Sequence, residues 1–345
     1  MRNETSVVIP KRQDWRKLVP GLIISAIAIV AILYFIDLRR LLGALQQADY
    51  RYIALFFGIS IAWLAVRGLV WRTLLQEQAS YSQVFLTLNE GYLLNNILPF
   101  RLGELARAYL LSKKANLGFL QVFSTILIER ALDVAFAAGL LFATLPFVMR
   151  VNLAWQAAVT MGCLVLVGLA LLYWLARNQS WALQQYGRSV NRFPKLQRLI
   201  GQQQLTAFFT GLGALTNGKR FLKVILLMLV NWGIALLQFF VLLRGYLPDA
   251  HPLWAAFTMS VMALGVAAPS SPGAVGVLEA SVIGALSVFG LDPSVTLAVA
   301  LTAHLGNYLT TGLIGTYALA RDGQSLAGLY RDVRKISFSS PGKSE

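Results

Sequence analysis

Six apolar runs constrain this chain more than any other feature: they fall at about 19–37, 50–75, 118–148, 153–176, 222–247 and 293–320. Each reaches the ~18 residues a helix needs to cross the hydrocarbon core of a bilayer. Lipid offers the backbone no hydrogen-bond partners, so such runs must satisfy themselves as helices. The fold class expected is therefore all-α, a polytopic membrane helix bundle spanning residues 1–320. Charged residues make up 13% of the 345, about half of the roughly 25% usual in soluble domains. The first run follows a basic N-terminus but is longer than a signal-peptide core, and no A-x-A cleavage site follows it. It reads as a retained span.

The net charge of +15 raises nucleic acid as a partner, and the placement of the charge excludes it. Arg177, Arg188, Arg192, Lys195, Arg198, Lys219, Arg220 and Lys223 cluster in one stretch without an acidic residue. The N-terminus (Lys11, Arg12, Arg16, Lys17) and the tail 321–345 are basic as well. Basic loops stay on the cytoplasmic side, which places both termini and the loop 177–222 there, in the cytoplasmic (inner) membrane of a prokaryote. Within that loop Leu205, Phe208, Phe209, Leu212 and Leu215 recur at helical spacing, predicting an amphipathic helix lying on the membrane surface. The tail reads as flexible. The only cysteine is Cys163, so no internal disulfide can form.

Two regions interrupt the pattern. Residues 80–115 and 252–290 each read as an apolar helix, a Pro/Gly break and a shorter helix. We read both as hairpins that enter the membrane and return to the side they came from. The break "ILPFRLGE" ends at Glu104 and "APSSPGAVGVLE" ends at Glu279, 175 residues later, and the flanking spans follow the same offset. With three crossings between the two starts, the copies enter from opposite faces. Inverted repeats with broken helices meeting near the midplane are a common architecture of secondary transporters.

Ionisable residues concentrate at these breaks. Glu90, Glu104, Glu129, Asp133 and Glu279 fall inside membrane segments, joined by Arg101, Arg107, Arg130 and His304. Each charge costs about 2.5–3.5 kcal/mol at a helix centre, so these groups pair or line a wet cavity. Glu104 and Arg107 share a helix face, and Glu129 and Asp133 lie one turn apart, where their repulsion calls for a cation or a proton. Pro99 frees backbone groups, Gly103 permits close approach, and the helix start after it presents N–H groups to an anion. With Arg101 as a rigid fork, this describes a phosphate-sized site. Pro272, Gly273, Gly276 and Glu279 form the opposing, less charged half. A buried ion network that only fixes packing competes with this reading. Arg67, Arg72 and Arg244, nearer span ends, are expected to snorkel. No metal constellation, catalytic triad or nucleotide loop is present in the sequence, so neither metal nor cofactor is expected.

These motifs, "LLNNILPFRLGELARAYLL", "ILIERALDVAF" and "PSSPGAVGVLEASVI", resemble the lysylphosphatidylglycerol synthase transmembrane region family over nearly the whole chain. The resemblance implies the translocating membrane half without a soluble aminoacyl-transferase domain. The expectation is a flippase-like lipid transporter, not an enzyme. It would bind an anionic phospholipid or polyprenyl-phosphate lipid at Arg101, Arg107 and Arg130, with Glu104, Glu129, Asp133 or Glu279 as candidate proton carriers. The alternatives are a scaffold or accessory subunit that partners a lipid- or glycolipid-synthesis enzyme, and a head-group-modifying enzyme.

Overall fold

The computed structural model describes residues 36–98, 102–148, 176–192, 202–267 and 271–324, with scattered positions at 29–32 and 156–174. The expected spans at 19–37 and 153–176 fall largely outside the described residues, as do Pro99, Arg101, residues 193–201 and the tail beyond 324. The described residues are helical, without a strand, and the chain is an all-α membrane bundle.

Local chemistry sets where each helix starts. Helix α1 (Leu38–Gln47) begins on Asp37, whose carboxylate accepts the backbone N–H groups of Arg39 and Arg40. Asp49 caps α2 (Tyr50–Leu74) in the same way. A reciprocal Ser80/Gln83 capping box opens α3 (Tyr81–Ile97), and these caps satisfy N–H groups that a first helical turn leaves unpaired. Helices α4 (Leu102–Ala115) and α5 (Phe119–Val148) follow. Next come α6 (Gln179–Arg192), α7 (Gln202–Leu212) and α8 (Gly218–Tyr246), the last capped by Asn217. Helix α9 (Pro252–Ala267), a single turn at Pro272–Ala274, and α10 (Val277–Ser287) make the second broken hairpin. Asp292 and Pro293 start α11 (Pro293–Arg321), a pairing suited to a first turn because proline has no N–H to lose.

Helices α2, α5, α8 and α11 are long and apolar enough to cross a bilayer. Helix α8 lies along α2, α11 along α3, and α9 along both α5 and α10. Polar contacts gather at the two ends of the bundle. At one end Arg40 pairs with Asp292 at 2.6 Å, and the backbone N–H of Asp49 reaches the Gly245 carbonyl at 2.8 Å. At the other, Lys223 pairs with Glu77 at 2.6 Å and Lys114 pairs with Asp322. The mouth of the α3–α4 hairpin lies at the second end, near Lys114, and that of the α9–α10 hairpin at the first, beside Asp292. Their tips therefore approach each other from opposite ends of the bundle.

The helix expected at 205–215 forms but does not wait for a membrane surface. Phe209, Leu212 and Leu215 are buried against Val70, Leu74, Ile128, Val224 and Met228. Its apolar face is satisfied by the ends of α2, α5 and α8, and Gln76 ties it down through the Thr210 carbonyl at 3.1 Å.

Candidate functional site

A cavity of about 660 Å³ opens between the hairpin tips. Helices α3 and α4 contribute Tyr92, Asn95, Asn96 and Glu104, and the second hairpin contributes Met259, Met262, Ser271, Gly273 and Leu278. Arg67 on α2, Arg130 and Asp133 on α5, and His304, Asn307 and Tyr308 on α11 complete the wall. The lining combines these ionic groups with methionine, alanine, leucine and tryptophan side chains. The cavity is thus amphipathic.

The first hairpin is shaped by a close crossing. A Cβ at Gly103 would fall on the Gly91 carbonyl and the Asn95 side chain, so α3 and α4 touch backbone to backbone there. That contact places Glu104 in the first turn of α4, facing α5.

Three guanidinium groups and three carboxylates form one network. Arg67 grips Asp133 through two nitrogens, at 2.8 and 2.5 Å, and Glu129 at 2.7 Å. The same Oε1 of Glu129 receives Arg107 at 3.1 Å and Arg130 at 2.6 Å. Arg130 also lies 3.4 Å from Asp133 and 3.6 Å from Glu104. Arg67 is 2% exposed and Glu129 0%. Burial at this depth removes hydration worth several kcal/mol per ion, which only multiple close partners can replace. The network is neutral in sum. Glu129 Oε2 and the Nε atoms of Arg67, Arg107 and Arg130 have no hydrogen-bond partner among the described residues.

These contacts change several sequence-based expectations. Arg67 does not snorkel: it is the hub of the network. The sequence carried a signal for this, since Arg67 lies seven residues inside the end of α2, about 10 Å along the axis and too deep for a side chain to reach the surface. Arg107 does not pair with Glu104 and does not line the cavity. It turns toward Glu129, with its guanidinium 4.4 Å from the Trp71 ring centroid. The anion-binding cluster expected from Arg101, Arg107 and Arg130 thus reduces, among the described residues that line the cavity, to Arg130, because Arg101 lies outside them. Glu90, unassigned from sequence, binds Lys114 at 2.8 Å, away from the cavity. Asn96 donates to Thr311 at 3.1 Å, joining hairpin and span.

The second tip is organised by Gly273. Its φ of +67° is the left-handed conformation that glycine adopts without strain. Its carbonyl accepts from His304 Nε2 at 2.9 Å and from the Tyr308 hydroxyl at 3.0 Å. Pro272 starts this turn. Glu279 reaches His304 Nδ1 at 2.5 Å and accepts the Gly276 N–H at 2.7 Å. The start of α10 is therefore not an open anion site: the Glu279 carboxylate already occupies it. Tyr308 lies 175 residues after Asp133, and its role needed the turn at Gly273 to become visible.

Comparisons with known proteins agree with this architecture. A UPF0104 membrane protein of Methanocaldococcus jannaschii is 24% identical, covering 86% of this chain and 93% of that protein. One from Methanothermobacter thermautotrophicus is 24% identical over 94% of this chain and 98% of its own length. Glycosyltransferase AglD of Haloferax volcanii matches at 27% over 36% of this chain and 20% of its own. No solved structure gives a significant match. The profile of the lysylphosphatidylglycerol synthase TM region matches residues 18–315, and the chain belongs to that family.

Proposed function

We propose that the protein is a flippase-like lipid transporter of a prokaryotic inner membrane, with cytoplasmic termini. It takes an anionic, phosphate-bearing lipid head group into the cavity between the two hairpins and passes it to the other leaflet unchanged. The observation that carries this reading is the cavity itself: two broken hairpins from opposite ends meet around about 660 Å³ of space lined by both ionic and apolar side chains. An amphiphile needs both. Arg130 supplies the phosphate contact, because its Nε is held only by Glu104 at 3.6 Å, beyond hydrogen-bond length. The pairing of Glu104 with Arg130 beside Glu129, and of Glu279 with His304 175 residues on, supports two inverted repeats.

The test is leaflet exchange of fluorescent phosphatidylglycerol in proteoliposomes, with Arg101→Ala and Arg130→Gln compared to wild type. Exchange that persists in both variants, with the proteins folded, refutes the assignment. Mass spectrometry of the recovered lipid separates transport from head-group chemistry. A scaffold role beside a glycolipid-synthesis enzyme is the second reading, favoured by the partial match to a protein named as a glycosyltransferase. Under it, deleting 177–222 abolishes function while Glu104→Gln and Asp133→Asn do not.

A further inference from the structure

The hydrogen bonds at the second tip fix where a proton must be. The Gly273 carbonyl can only accept, so His304 Nε2, 2.9 Å away, carries a hydrogen. In a neutral imidazole that leaves a bare lone pair on Nδ1. Yet Nδ1 lies 2.5 Å from Oε1 of Glu279, a distance at which a lone pair and a carboxylate repel. One proton therefore lies between them, on either atom. His304 is 6% exposed and Glu279 5%, so water does not supply this bond.

We propose that Glu279 and His304 form a proton-binding site that latches the second hairpin tip closed over the cavity, and that loss of this one proton opens it. The proposal rests on the lipid-transport reading and adds its regulation. Removing the proton leaves two arrangements. With hydrogen on Nε2, Nδ1 faces the Glu279 anion unbridged. With hydrogen on Nδ1, Glu279 is satisfied but the Nε2 lone pair faces the Gly273 carbonyl. Either way one of the two bonds is lost. The same tip abuts the first hairpin, where a Cβ on Gly273 would lie 3.3 Å from the Asn96 carbonyl. Releasing it parts the hairpins on that side.

Among the described residues, the surroundings offer the dyad no replacement for its proton. On α11 the neighbour is Tyr308, stacked edge-on at 4.5 Å and donating to Gly273. Helix α9 carries no ionisable residue. On α3, Tyr92 lines the cavity and Glu90 is held by Lys114. On α8, Tyr246 shares a hydrogen bond with Thr302. Across the cavity, Arg67 and Arg130 are committed to Glu104, Glu129 and Asp133.

The test reads tip exposure directly. Ala274, 8% exposed at the tip, is replaced by cysteine in a Cys163→Ser background, in vesicles of phosphatidylethanolamine and phosphatidylglycerol. Its maleimide-labelling rate is divided by that of Gln47→Cys, on an exposed turn of α1, to cancel the thiolate's own pH dependence. As pH is raised the ratio is expected to rise, by up to about tenfold per pH unit, the slope for one linked proton. Glu279→Gln, whose amide donates permanently to Nδ1, keeps the ratio low at every pH. His304→Phe keeps it high. A flat ratio with Glu279 and His304 intact, or a rise that survives Glu279→Gln, overturns the latch. Lipid exchange is measured on the same vesicles. A pH-dependent ratio without exchange refutes transport and leaves the latch, whereas exchange with a flat ratio refutes the latch alone.

Discussion

Replacing Arg67 by methionine is the sharpest test of the buried network, because methionine keeps the stem's volume and removes only the charge and donors. Removing one partner of a buried ion pair costs about 3–5 kcal/mol, mostly the stranded charge. Here Glu129 retains Arg107 and Arg130, at 3.1 and 2.6 Å, and Asp133 retains Arg130 at 3.4 Å. The loss should sit at the lower end, about 3 kcal/mol. At about 2–4 °C per kcal/mol, the melting midpoint in detergent micelles falls by roughly 6–12 °C. Arg67→Met combined with Asp133→Asn restores neutrality, and the double variant should recover about 1–2 kcal/mol relative to additivity. A single-variant loss under about 0.5 kcal/mol, the size of an ordinary surface change, would mean that Arg67 is screened by water or reaches the head groups, and the dry network would be wrong.

Gly273→Ala should cost about 1–2 kcal/mol from the left-handed backbone alone, plus a clash of the new Cβ with the Tyr308 hydroxyl. Tyr308→Phe should return part of the clash in a double-mutant cycle of melting midpoints. Glu104→Gln frees Arg130 from its only contact on α4; equilibrium binding of phosphatidylglycerol should tighten while leaflet exchange slows. Faster exchange would contradict the role given to Arg130. At the end of the bundle where Lys114 sits, burial tends to raise the Asp322 pKa, but the Lys114 hydrogen bond and charge hold it below the usual 3.8. A depressed carboxylate stabilises the fold above its unfolded pKa and loses that contribution as pH falls through the folded value. Acid titration of the melting midpoint below about pH 4 should therefore be shallower in Asp322→Asn than in wild type, with an exposed-pair magnitude of about 0–1 kcal/mol.

What the sequence made legible is what depends on a few neighbouring residues. Hydropathy alone marked the runs that became α2, α5, α8 and α11. The breaks at "APSSPG" and "LPFRLG" were visible because proline cannot donate and glycine tolerates a positive φ. Choice of partner was not legible, because it depends on which helices become neighbours. Glu104 and Arg107 stand on one face, yet α5 passes between their reaches and takes each separately. Arg67 was misjudged because its partners lie 62 and 66 residues away on α5. The 205–215 helix was misplaced for a related reason: a 3.6-residue period records that one face is covered, and not whether lipid or protein covers it. Of the residues singled out beforehand, Glu104, Arg130, Asp133, Gly273 and His304 line one cavity. Arg107 and Glu129 stand behind them as its ionic support.

The neutrality of that support bears on how a transporter can work at all. A bare guanidinium in a low-dielectric cavity would bind a lipid phosphate strongly and then hold it, whereas conduction demands binding weak enough to reverse. Three arginines already matched by three carboxylates avoid that trap. In the proposed transport cycle, a phosphate entering at Arg130 would displace the loosely placed Glu104 rather than fill an empty cationic hole, and Glu104 would take the site back when the phosphate leaves. The displaced Glu104 stays in the cavity, so the local charge would hold constant only if its carboxylate took up a proton as the phosphate entered. The second tip then has a different task from the first. In the proposed latch it would close over the head group rather than bind it, held by a single proton between Glu279 and His304. On that proposal the two hairpins would differ in charge because one exchanges partners and the other opens.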